Sequence, residues 1–219
     1  MTAYPDTDIA SMSFVFWHKL SHALTGREQR NAHRESAEEL NRRKQLFFPA
    51  YVQLIHNVIG TSFFSRKVFT CVPLNVTTLL IDYPSPFSAN LSSGRLRYPE
   101  DHQHWTREEY REFKRMRYAI ADTLKEAASV VGAVQTLHIV STPIQELNKA
   151  EATYVTPKNT SVDWRRLEAS LYCVRSISKE PPPAGDLLLL SILASLPNLP
   201  EHPQLLYTAV LTISAYSEW

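Results

Sequence analysis

Eight histidines and two cysteines are the residues in this 219-residue chain best suited to ligate a metal or begin covalent chemistry. A zinc site needs thiolates or imidazoles at short fixed spacings, such as C-x-x-C or H-E-x-x-H. Neither spacing occurs. His102 and His104 stand two apart in a polar tract and read as a solvated pair. Cys173 lies beside an apolar helical stripe and reads as a buried thiol. Cys71 has no recognisable base beside it, whereas a nucleophile needs a base and a group to orient that base. Five glycines, with no G-x-G-x-x-G or P-loop, leave little material for a phosphate cradle. The sequence therefore assigns no catalytic, cofactor-binding or metal-ligating residue. Its function is argued as binding rather than catalysis, and partner-binding residues are not legible.

Charge points the same way. Lysine and arginine nearly balance aspartate and glutamate, for a net charge of +1, so the chain has no bulk bias toward nucleic acid or anionic membrane. Arg42, Arg43 and Lys44 form one basic cluster, and Arg111, Lys114, Arg115 and Arg117 form another. Each is interleaved with glutamates (Glu38 and Glu39; Glu108, Glu109 and Glu112), which reads as the solvated face of a helix. The most apolar run, 187–196, is far shorter than the roughly 20 residues of a membrane span. No secretory signal is visible, so the sequons at Asn75, Asn90 and Asn159 carry little weight. Two cysteines make no disulfide framework, and reduced thiols in a soluble intracellular chain are expected.

Helices must position whatever the chain binds with. Asp163 to Glu180 is the clearest: Trp164, Leu167, Leu171, Val174 and Ile177 recur at steps of three and four, with Arg165, Arg166, Glu168 and Arg175 mostly off that stripe. Asp163 sits at the N-cap, and Pro181 to Pro183 end the helix. Further helices are expected over Asp186 to Leu196 and from Pro203 to Trp219, the latter with a face of Leu206, Ala209 or Val210, Ile213, and Tyr216 or Ser217. Upstream, 8–24 reads as a helix with Ile9, Met12, Phe16, Leu20 and Ala23 on one face, widened by Phe14 and Trp17, and Gly26 just past its end. From Ser36, in capping-box spacing with Glu39, a helix to Ile59 carries Leu40, Phe47, Tyr51, Leu54 and Val58, and Pro49 should kink or split it. Thr106 and Glu109 open another helix to about Val131, whose face is Phe113, Met116, Ile120, Leu124, Ala127 and Val131, with Gly132 ending it. Ala133 to Leu147 reads as one helix bent at Pro143, followed by a polar loop over 151–162.

Residues 60–94 break this pattern. The tract is rich in Ser, Thr, Val and Phe and holds Pro73, Pro84 and Pro86, which locally favours short strands and turns. A segment this long without helical period inside a helical array is unusual. The domain reading is a first helical hairpin over 1–59, an irregular insert over 60–94, and continued helical repeats over 95–219. The insert is either a surface loop or a translated intron.

Several tracts resemble one family. DWRRLEASLYCVRSISKE (163–180) followed by LPNLPEHPQLLYTAVLTISAYSEW (196–219) is similar to central repeats of the importin-β superfamily of nuclear transport receptors, the karyopherins. The nearest branch is the transportin-SR group with the fungal mRNA transport regulator. RYPEDHQHWTREEYREFKRMRYAIADTLKEAASVVGA (97–133) resembles the same family: a Y-P-x-D connector, a tryptophan, then a helix with F-x-x-x-R. SFVFWHKL (13–20), followed by the helix from Ser36, resembles the hairpin that precedes this connector. The resemblance implies an all-α fold, a solenoid of HEAT-type antiparallel helix hairpins in the ARM-repeat superfamily. It further implies a non-enzymatic, cofactor-free receptor that shuttles between nucleus and cytoplasm. Its expected partners are protein cargo (RNA-binding, Arg/Ser-rich proteins), the GTPase Ran and nucleoporins, with no direct nucleic acid and no membrane. The chain is shorter than such receptors and lacks the N-terminal repeats where the family binds Ran and the arginine-rich cargo helix of this branch, so no Ran or cargo residue is carried over. The alternative is a helical-repeat scaffold for protein–protein interaction unrelated to transport.

Overall fold

The computed structural model describes residues 7–26, 37–59, 96–152 and 163–218. The insert at 60–94, Cys71, Ser36 with its half of the expected capping box, and most of the 151–162 loop lie outside them. The described residues hold eight α-helices and two short 3-10 turns. These are α1 (Thr7–Thr25), α2 (Ala37–Ile59), α3 (Arg107–Val131), α4 (Ala133–Val140), α5 (Thr142–Ala152), α6 (Trp164–Ser176), α7 (Leu187–Ser195) and α8 (Pro203–Ala215). The fold is all-α, as expected, and no helix among the described residues is long and apolar enough to cross a membrane.

Local chemistry sets the boundaries. Thr106 and Glu109 form the expected capping box: the Thr106 hydroxyl accepts from the Glu109 amide at 3.3 Å, and Glu109 accepts from the Thr106 amide at 2.7 Å. Asp163 and Asp186 each accept a first-turn amide of α6 and α7. Gly26 and Gly132 follow helices with φ of +70° and +97°, a region where a Cβ would be strained. Pro49 does not split α2, which runs through it. The expected single helix 133–147 is instead two, α4 and α5, broken at Ser141. Pro143 has no N–H to give to the Ile139 carbonyl, and the Thr142 hydroxyl donates to that carbonyl at 3.0 Å instead. Helix α6 stops at Ser176, ahead of the prolines, and turns cover 177–180.

Two layers follow from which helices pack together. In one, α1, α3, α6 and α8 lie each against the next; in the other, α2 meets α4, and α7 meets α4 and α5. Contacts of α2 with α3 and of α5 with α6 tie the layers together. One continuous apolar cluster runs from Phe14 to Tyr216, with Tyr51, Ile120, Leu137, Leu171, Ile192 and Leu205 fully buried along it. This successive stacking is the architecture of an α-solenoid.

Two expected faces are rotated. On α8 the buried residues are Leu205, Thr208, Ala209, Thr212 and Tyr216, while Leu206, Val210 and Ile213 face outward at 42%, 64% and 53% exposure. Small side chains at 208, 209 and 212 allow close approach to α6, where Thr208 donates to Glu168 and Tyr216 donates to the Val174 carbonyl at 2.8 Å. On α1 the inner residues are Phe14, Ser21 and Leu24 with Trp17 half-buried, whereas Phe16 and Ala23 are exposed. Phe47 on α2 is likewise exposed, and Ile55 takes a core place beside Tyr51 and Leu54.

Candidate protein-binding surface and the polar node beneath it

The motif residues of the 97–133 tract converge on one point. Arg117, on α3, is 4% exposed and donates to Glu168 Oε1 of α6 at 2.7 Å. Thr208 of α8 donates to the same oxygen at 2.8 Å. Three successive helices of one layer thus share one buried carboxylate. The Arg117 guanidinium also lies 3.9 Å from the Tyr172 ring centre and over Tyr98 and Phe113, which supplies the cation–π contact that a desolvated charge favours. Burial alone would weaken the Arg117 proton, but the Glu168 charge and hydrogen bond outweigh it and raise its pKa. The sequence puts Arg117 in a cluster expected on a solvated helix face and Glu168 mostly off the apolar stripe; both are buried, which corrects that expectation. Arg117 is four residues after Phe113 and three before Ile120, and Glu168 is four after Trp164, so both stand in helical register with the apolar stripes, and only their charge argued for the surface.

An aromatic shell closes one end of this node. Tyr98 packs on Phe113 (4.9 Å between ring centres) and near Trp164 (5.8 Å), and Trp105 packs on Phe113 at 5.0 Å. Trp164 stacks on His202 at 3.5 Å, joining α6 to the residue ahead of α8. The histidine's Nδ1 is buried without a partner, and burial, then His102, pull its pKa down. His102 packs against both Tyr98 and Trp164, at 5.4 and 5.7 Å between ring centres, while His104 stays exposed.

Above the node the surface is mixed in sign. Arg165 bridges Asp163 and Glu100, Arg166 pairs with Glu146 at 2.9 Å, and Arg97 lies 3.9 Å from Asp163. Arg97 and Arg166 flank a shallow groove floored by Leu96, Val140, Pro143, Ala169 and Ser170. The two basic clusters are otherwise as expected: Arg43 pairs with Glu39, Arg111 with Glu108 and Arg115 with Glu112, all along exposed helix faces. Several large apolar side chains of α7 and α8 are exposed, including Leu187 at 81% and Tyr207 at 63%.

These features suit recognition. Cys173 is fully buried, and desolvation pushes its thiol up to about 12, where no thiolate forms at neutral pH. A group the sequence reading passed over is His18, His22 and Glu126, brought together by α1 and α3. Its signal was the i,i+4 spacing of the two histidines.

No protein-family model matches the chain. Transportin MOS14 of Arabidopsis thaliana is 35% identical over 100% of the chain. The mRNA transport regulator MTR10 of Saccharomyces cerevisiae is 25% identical over 98% of it, and an uncharacterized protein of Schizosaccharomyces pombe is 21% identical over 98%. The chain spans 19%, 16% and 19% of the lengths of these relatives. Its two-layered helical stack and its match along the whole chain make it importin-β-family karyopherin sequence, of the branch that includes the transportin and the mRNA transport regulator.

Proposed function

We propose that the chain forms part of the helical solenoid of a nuclear import receptor. In this reading its surface contributes to recognition of protein cargo, and the receptor loads and releases that cargo according to the nucleotide state of Ran, moving between cytoplasm and nucleus. RNA-binding proteins with Arg/Ser-rich segments are the cargo class, and nucleoporins are the contacts during passage. Support comes foremost from the 35% identity to a transportin along the whole chain. The layered stack adds a physical reason: a buried node linking three helices fixes their spacing, so the exposed side chains above it form a surface of defined shape.

The test is direct binding. A fluorescent Arg/Ser-rich peptide should bind the full-length receptor that carries this chain, and its anisotropy should fall when Ran bound to a non-hydrolysable GTP analogue is added, but not with Ran–GDP. Peptide binding indifferent to Ran's nucleotide state would overturn the transport reading.

A further inference from the structure

His18 and His22 lie one turn apart on α1 and face Glu126 of α3. His18 Nδ1 is 3.2 Å from Glu126 Oε1, and His22 Nε2 is 3.6 Å from the same oxygen. The two rings have centroids 4.2 Å apart. All three donor atoms lie within 4.8 Å of one another. Ser21, itself fully buried, holds the other carboxylate oxygen, Oε2, through its hydroxyl.

We propose that these three side chains form a site for a late first-row divalent cation of the Zn²⁺ class. Imidazole and carboxylate are the donors such ions accept, and two histidines with one glutamate are a known three-ligand set for an open tetrahedral zinc. The spacing fits as well. Ligands about 2.0–2.1 Å from a tetrahedral metal stand about 3.3 Å from one another. The two N–O separations bracket that value. At 3.2 Å the His18 pair is also within hydrogen-bond reach, and at 3.6 Å His22 lies within ion-pair reach of the same oxygen.

The surroundings support a ligand role for the carboxylate. Its side chain is 13% exposed, while His18 is 55% and His22 26% exposed, so the glutamate forms the floor and the histidines the rim. The Ser21 contact supplies the kind of outer hydrogen bond that orients a ligating carboxylate. Because His18 is 55% exposed, water or a donor from a partner would supply the fourth ligand. Bound there, a metal would clamp α1 to α3, the first two helices of their layer.

The experiment is titration of the 219-residue chain with Zn²⁺ by calorimetry, with Co²⁺ as a spectroscopic probe. Expected are saturable binding at this site, the intense visible bands of four-coordinate Co²⁺, and a melting temperature that rises with Zn²⁺ and returns on chelation. His22→Ala and Glu126→Gln should each weaken binding at least about tenfold. His138→Ala, an exposed histidine on α4, should leave binding unchanged. Variants are compared only where far-UV circular dichroism matches the parent, and the exposed His18→Gln serves if Glu126→Gln unfolds. Absence of saturable binding, or binding that survives His22→Ala and the second variant unchanged, overturns the proposal.

Discussion

Removing Arg117 should be among the most damaging single changes in this chain. Its side chain is 5% exposed and that of Glu168 2% exposed, and they meet at 2.7 Å. Arg117→Ala strands Glu168 in the interior with the Thr208 hydroxyl as its remaining shown donor, while Glu168 Oε2 already has none. Breaking one side of such a buried pair costs about 3–5 kcal/mol, because the remaining charge keeps its desolvation penalty. At about 2–4 °C per kcal/mol for a chain of this size, the melting temperature should drop by about 6–20 °C. One further readout separates this cause from simple loss of packing. The double variant Arg117→Met with Glu168→Leu should recover most of the loss, because an apolar pair of similar volume carries no charge to desolvate. Urea unfolding followed by circular dichroism reads both. A single-variant loss under about 1 kcal/mol, or a double variant as weak as the sum of the singles, refutes the reasoning.

Three further outcomes follow from particular groups. Thr106→Ala removes the hydroxyl that caps α3 and should cost about 1 kcal/mol in urea unfolding, while Thr106→Ser should restore it. Cys173 should resist alkylation in the folded chain and label on unfolding, as mapped by mass spectrometry, because its thiol is fully buried with its pKa raised to about 12. Burial lowers the pKa of both His56 and His202 below the ordinary value near 6.5. The unfolded chain then takes up protons first on acidification, so these two groups leave stability unchanged above that value and erode it as pH falls below it. His202→Gln should flatten that part of the pH profile of the melting temperature.

Much of the architecture was legible from helical period and caps. The Thr106–Glu109 box, the Asp163 cap and the stripe Leu167, Leu171, Val174 and Ile177 all stand where period and capping rules put them. What period alone misjudged was sidedness. On α8 the more apolar stripe, Leu206, Val210 and Ile213, lies outside, because the inner face needs small residues and hydroxyls to reach α6 and Glu168. On α1, Ser21 turns inward toward Glu126 for a comparable reason, and Phe16 goes out. Hydrophobicity ranks faces by transfer free energy and is blind to a polar partner on another helix. The same blindness hid the node, since Arg117 and Glu168 are 51 residues apart. Order along the chain was more telling: the Tyr98, Trp105, Phe113 and Arg117 series that suggested the family is the set that packs around that node.

The most direct test of the transport reading is nuclear import in permeabilised cells supplied with the full-length receptor that carries this chain. A fluorescent Arg/Ser-rich cargo should accumulate in nuclei only when receptor, Ran and GTP are all present. Equal accumulation without the receptor, or accumulation that ignores Ran, would contradict it.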